Sequence, residues 1–132
     1  MKALYLIPAD DASRDAESSQ ISIHKIINEI SSQGFPVLLN RIAFFMMIDL
    51  DESEQQLGEF ELSYELLLNE TALFPGSSVT VKPDKKLRAQ VTLKLLGMLI
   101  PSSGDLTLVI SKEGNELIRT SIKISQTPEA GE

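Results

Sequence analysis

Apolar residues recur at every second position along most of this chain. In Gly58 to Leu68, GEFELSYELLL, Phe60, Leu62, Tyr64, Leu66 and Leu68 share one parity. Glu59, Glu61, Ser63 and Glu65 share the other, with Leu67 out of phase. Successive side chains of a strand point to opposite faces, so this alternation predicts a strand with one face buried. Lys86 to Leu96, KLRAQVTLKLL, repeats the design: Leu87, Ala89, Val91, Leu93 and Leu95 inward, Lys86, Arg88, Gln90, Thr92 and Lys94 outward. One strand has an acidic outer face and the other a basic one. Paired as neighbours, they would set opposite charges across the ladder, about 0.2–1 kcal/mol per pair. Two solvated faces that never meet are the equal alternative.

The carboxy-terminal part reads as a hairpin. Asp105 to Lys112 alternates through Leu106, Leu108 and Ile110. Glu113-Gly114-Asn115-Glu116 is the turn, and Leu117 to Ser125 returns through Ile118, Thr120, Ile122 and Ile124. Gly and Asn tolerate the positive φ such turns need. Lys2 to Ile7 reads as a first strand, Leu39 to Leu50 as a strand apolar on both faces, and Ser77 to Val81 as a short strand after the turn Phe74-Pro75-Gly76. Polar clusters at Asp10 to Gln20, Asp51 to Leu57, Pro83 to Lys85 and Pro101 to Gly104 read as loops. Strands at such short intervals, punctuated by Gly and Pro, point to an antiparallel sandwich or barrel.

The stretch QISIHKIINEISSQGFP is two-sided. Ile23, Ile26, Ile27 and Ile30 fall on one helical stripe, Ser18 or Ser19 fits a cap, and Gly34 with Pro36 fits a stop. Isoleucine loses side-chain freedom in a helix and favours strands. The reading adopted is a strand over Gln20 to Ile26, with one short helix near residues 26–33 as the open alternative.

Composition then narrows the classes. The chain has 132 residues, 42% hydrophobic and 23% charged, enough for one folded domain and too apolar for global disorder. Residues 1–125 are read as that domain and 126–132, QTPEAGE, as a loose tail without an apolar anchor. There is no cysteine, hence no disulfide and no thiolate metal site. The apolar start, Ala3 to Ile7, is too short for a signal peptide, and Ile42 to Ile48 is far below the roughly 20 residues of a spanning helix. The expectation is a soluble, cytoplasmic protein without a membrane partner. Asn69-Glu70-Thr71 matches a glycosylation acceptor with nothing else to suggest secretion.

The net charge is −7. Between Ile42 and Val81 there are eight acids and no base; Lys82 to Lys94 then carries five bases against Asp84. An acidic chain repels phosphate backbones, which disfavours a nucleic-acid partner.

Candidate chemistry is sparse. His24 stands alone on the polar side of its strand, with no G-x-S-x-G elbow elsewhere, so no catalytic residue is assigned. One histidine and no cysteine make a zinc site a poor fit. Asp49-Leu50-Asp51-Glu52-Ser53-Glu54 lacks the glycine and the terminal glutamate of a calcium loop, and Asp10, Asp11, Asp15 and Glu17 form a second acidic loop. Neither is assigned a metal, and no cofactor is expected. A glycosidase would need two carboxylates fixed in a cleft.

The order of a polar loop, S-I-S-I-H-K-I-I, G-F-P and an apolar strand, with a late S-G-D-L-T-L-V-I hairpin, resembles small bacterial β-sandwich proteins of unknown function. The resemblance implies a strand for the early segment and offers no activity. The fold expected is mainly β: a single-domain antiparallel β-sandwich, immunoglobulin-like or jelly-roll-like. The function expected is a non-catalytic binding or assembly module acting through protein contacts, the partner being another protein or a second copy. Phe44, Phe45, Met46 and Met47 are its candidate interface, because contiguous apolar surface marks contact sites; burial in the chain's own core is the competing role. The alternatives are an acidic inhibitor that mimics nucleic acid, with Glu59, Glu61 and Glu65 in an exposed row, and a small carboxylate-dependent hydrolase.

Overall fold

A computed structural model describes residues 1–18, 20–73, 76–83 and 87–127. In chain order the strands are β1 (Lys2–Arg14), β2 (Ile21–Ile26), β3 (Glu29–Ser32), β4 (Val37–Asp49), β5 (Phe60–Leu68), β6 (Thr71–Ala72), β7 (Ser77–Val81), β8 (Arg88–Ile100), β9 (Gly104–Lys112) and β10 (Asn115–Gln126). A single-turn helix, α1 (Glu52–Gln55), joins β4 to β5. Two sheets face each other: a four-stranded one in the order β2-β1-β4-β8 and a six-stranded one in the order β3-β10-β9-β5-β6, with β7 also on β5. This is the β-sandwich that the alternation predicts.

The core is the space between the two inner faces. Ile42, Phe44, Met46 and Ile48 of β4 meet Leu62, Leu66, Leu106, Leu108, Ile110 and Ile122 of the opposite sheet, all at most 1% exposed. Each side chain so buried contributes about 1.5–3 kcal/mol relative to exposure. On β5 the predicted parity holds, with Phe60, Leu62, Leu66 and Leu68 buried, Tyr64 half-buried, and Glu61, Ser63 and Glu65 exposed. On β8 Ala89, Val91 and Leu93 are buried, but Leu87 lies before the strand and is exposed.

Two open alternatives are decided by the structure and one expectation is corrected. The acidic and basic strands are not neighbours: β5 lies in one sheet and β8 in the other. Glu61 and Glu65 face Thr80 and Val109, while Arg88 faces Asp49. Charge patterning could not choose between strand pairs, because the acidic face lies opposite uncharged residues and the basic face finds Asp49 and Asp11 within its own sheet. The short helix left open near residues 26–33 is also absent. Glu29–Ser32 forms β3, which runs parallel to β10 with Ile30 opposite Ile124. Burying Ile30 against the core outweighs the helical stripe. The helical turn occurs instead at Glu52–Gln55, within the expected loop, where Asp51 and Glu54 form a capping box. Lastly, β1 runs through to Arg14, so half of the predicted Asp10 to Gln20 loop is strand. Of the predicted turns, Phe74 and Pro75 lie outside the described residues, as do Asp84 and Lys85.

Candidate functional site

The first strand does more than pair with β4. Its ladder with β4 ends at Ala9 opposite Ala43, and from Ala9 onward it pairs with β2, Asp11 opposite His24 and Ala12 opposite Ile23. Beyond Ala9 this hairpin leaves the plane of the sheet and lies over its outer face. Lys94 Nζ of β8 reaches Asp11 Oδ1 at 3.2 Å, although β4 lies between their strands. Arg41 of β4 donates from Nε to the Asp10 carbonyl at 3.0 Å and from Nη2 to Asp10 Oδ2 at 3.1 Å. Ala9, Ala12, Ala43 and Phe45 are buried without belonging to the inter-sheet core. They form a thin second layer under the hairpin, and Tyr5 packs beside Phe45 with ring centroids 6.0 Å apart.

This layering settles where the candidate interface residues lie. Phe44 and Met46 point into the core, Phe45 is 4% exposed in the outer layer, and Met47 is half-buried at its margin. The run is apolar on both faces because both faces are covered within the chain. Accessible apolar side chains lie elsewhere, among them Ile26, Leu87 and a group on β4 and β8, Leu38, Leu96 and Leu99, which are 56%, 71% and 59% exposed. Leu38 and Leu99 are cross-strand partners, and Leu96 stands opposite Arg41. A break in alternation explains the β4–β8 group. Leu96 and Gly97 both face outward, as do Asn40 and Arg41 on β4, while the register stays continuous. Gly97 has φ of +66°, a conformation that glycine adopts without strain.

β8 is the edge of its sheet: among the described residues it is hydrogen-bonded to β4 alone. Its two halves differ. The Leu95–Leu99 half borders a groove of about 560 Å³ shared with Leu66 and Leu73. The Arg88–Thr92 half borders a cleft of about 700 Å³, whose other walls are Val79–Val81 of β7 with Lys82 and Pro83 beyond it, and the tip of the hairpin, Arg14, Ser18 and Gln20.

A family model matches residues 4–125. The chain belongs to DUF6941, a family of unknown function. Comparison with curated proteins found no match, and neither did comparison with solved structures. Membership in DUF6941 therefore brings no residue roles, and these come from the geometry.

The acidic loops serve the backbone. Asp15 accepts from the amides of Glu17 and Ser18, and these bonds hold its carboxyl below the usual range. Asp51 caps α1 by accepting from the Glu54 amide at 2.8 Å, which lowers its pKa, helped by the Ser53 hydroxyl. Glu54 in turn accepts from the Asp51 amide at 3.0 Å and pairs with the Met1 ammonium at 2.8 Å. Among the described residues no three of His, Asp and Glu gather as a metal ion requires. No helix of these residues is long and apolar enough to cross a membrane.

His24 is exposed, and its Nε2 lies 3.0 Å from Ser13 Oγ. Asp11 is its cross-strand partner, yet that carboxylate is spent on the Ala12 amide, Lys94 and Arg41. The three residue types of a hydrolytic triad are thus near one another without forming a relay. Asn69 was legible only as a glycosylation match. Its side chain accepts from the Asp105 amide at 3.0 Å and donates to the Ser103 carbonyl at 3.3 Å, tying the β5–β6 turn to the start of β9.

Proposed function

We propose that this chain is a non-catalytic binding or assembly module that works through protein–protein contacts at the β8 edge. The observation that supports this is a 13-residue edge strand carrying exposed Leu96 and Leu99 beside Leu38. Edge strands are ordinarily blunted by charge, proline or a covering segment, since unpaired backbone groups invite another strand. Leucines grouped on such an edge favour a partner over solvent. The partner is another protein, with a second copy of this chain as one form of it.

The finer fold assignment belongs with this reading. Let β1, β4, β5, β8, β9 and β10 be strands A, B, C, E, F and G. One sheet is then A-B-E and the other holds C-F-G, the division of an immunoglobulin-like sandwich. Such folds commonly serve as recognition modules.

The test places a photo-crosslinking residue at Leu96 and, as control, at Ser63 on the outer face of the other sheet. Adducts at position 96 that are missing at position 63 support the reading. Light scattering then separates its two forms. A concentration-dependent dimer abolished by Leu96→Asp with Leu99→Asp identifies a second copy, and a monomer with adducts identifies a foreign partner. No adduct at position 96, together with a monomer at every concentration, would sink it.

One observation favours the acidic-mimic alternative. Glu59, Glu61 and Glu65 are exposed, and the residues opposite the last two are uncharged. Three carboxylates form a small footprint for that role. Loss of a nucleic-acid-binding partner on changing all three to Gln would promote it over the edge reading.

A further inference from the structure

We infer that the polar half of the β8 edge is a docking cleft for an extended acidic segment of a partner protein, which adds to β8 as a further strand. The inference rests on the protein-contact reading above and names the chemistry of the partner.

The position of the cleft is the first argument. Ala89 and Val91 point into the core, whereas Gln90 and Thr92 point outward, and all four line the same space. Side chains of opposite parity share a cleft only when it runs along the strand's edge, where the backbone donors and acceptors lie. Across the space stand Val79–Pro83 of β7 and its exit, and β7 is paired with β5 alone among the described residues. The cleft thus lies between one free edge of each sheet. Arg88 to Thr92 offers about five residues of ladder, about 17 Å at strand rise. Addition of a strand to such an edge draws its affinity from main-chain bonds and its specificity from side-chain contacts.

Charge is the second argument. The chain carries −7 overall, yet Arg14, Lys82 and Arg88 line this cleft and no Asp or Glu among the described residues does. They come from three separate segments, the hairpin tip, the β7 exit and the edge strand. Arg88 donates through Nε to Asp49 at 3.2 Å, while Arg14 and Lys82 make no ion pair among the described residues. A basic or neutral strand would find the same backbone edge without these cations. An acidic strand gains the two cations Arg14 and Lys82, unpaired among the described residues, beside the Arg88–Asp49 pair, and the acidic remainder of the surface repels it from other sites. Ser18, Gln20 and Gln90 add neutral donors at the rim.

The experiment uses the full chain and fluorescein-labelled peptides of about ten residues, enough to overrun the ladder. One alternates Val and Glu, one alternates Val and Lys, and one is the acidic peptide N-methylated at alternate amides. Anisotropy should show binding of the acidic peptide and none of the basic one. Arg14→Glu with Lys82→Glu should weaken binding about tenfold or more, as should salt raised from about 50 to about 300 mM. Arg14→Gln, a milder change, should weaken it in the same direction. N-methylation should abolish binding, because it removes the ladder donors. Equal binding of acidic and basic peptides would overturn the inference, as would indifference to charge reversal or to N-methylation, or failure of the acidic peptide to bind. Adducts from position 96 in the presence of such a failure would leave the wider protein-contact reading intact. Their loss as well would remove both.

Discussion

Lys94 and Asp11 sit on strands that never pair, yet Lys94 Nζ lies 3.2 Å from Asp11 Oδ1. The lysine side chain crosses above Ala43, its cross-strand neighbour on β4, to reach the hairpin arm. Ala43 is fully buried, and a larger side chain there would lift that crossing. The same carboxylate takes Arg41 Nη1 at 3.5 Å, so one arm residue is held by cations of two sheet strands. Long basic side chains cover apolar surface with their stems while their charged heads find partners, and that is how the outer layer is roofed.

Removing this tie should free the arm without unfolding the sandwich. Asp11→Ala or Lys94→Met should raise amide exchange over residues 10–26 and leave β9 and β10 unchanged. Both groups are partly solvated, so the global stability change should be small. The pH dependence has a definite sign. The Asp11 pKa is lowered, first by the Ala12 amide bond and then by Lys94 and Arg41. Its contribution is therefore complete above the ordinary value of 3.8 and fades as pH falls through that value and below. Arm exchange should rise on acidification in that window and not between pH values of about 5 and 8. Exchange that is flat through acid would show that the ion pairs do not hold the arm.

Adjacent methionines should respond unequally to truncation. Met46 is 1% exposed in the core, and Met46→Ala should cost about 2–5 kcal/mol through lost burial and a residual cavity. Met47 is half-buried at the margin of the cleft, and Met47→Ala should cost about 1 kcal/mol or less. Urea titration of the two variants checks this. Equal losses would mean that the outer layer is packed as tightly as the core.

The strands were readable wherever one face is wet. Phe60 to Leu68 and Leu106 to Ile124 show their alternation directly, because water selects the polar parity. β4 hid its role for the opposite reason. The hairpin covers its outer face, so Ala43, Phe45 and Met47 on one parity are as apolar as Phe44 and Met46 on the other, and no alternation marks which face is wet. The cleft was not legible at all. Arg14 is far from Lys82 and Arg88 in sequence, and only the fold-back of β1 and the pairing of β7 with β5 bring the three to one space. The strongest charge signal, the acidic strand against the basic one, pointed to a pairing that topology does not make. Opposite charges state a preference for proximity, while the ladder is decided by which apolar faces must be buried together.

Asn69 and Gly104 should prove energetically coupled. Asn69 and Glu70 both have positive φ, 51° and 66°, as a two-residue hairpin turn demands. The Asn69 side chain lies so close to Gly104 that a Cβ there would collide with its amide. Gly104 itself has φ of +145°, where other residues are strained. Gly104→Ala should therefore cost about 1–3 kcal/mol, part from backbone strain and part from expelling Asn69. Asn69→Ala should cost about 0.5–1.5 kcal/mol through the bonds to Asp105 and Ser103. In the double variant the collision is gone, so its loss should fall short of the sum by about 0.5 kcal/mol or more. Thermal unfolding of the four proteins measures the cycle. Strict additivity would show that Gly104 is required for its backbone conformation alone, with Asn69 free to turn aside.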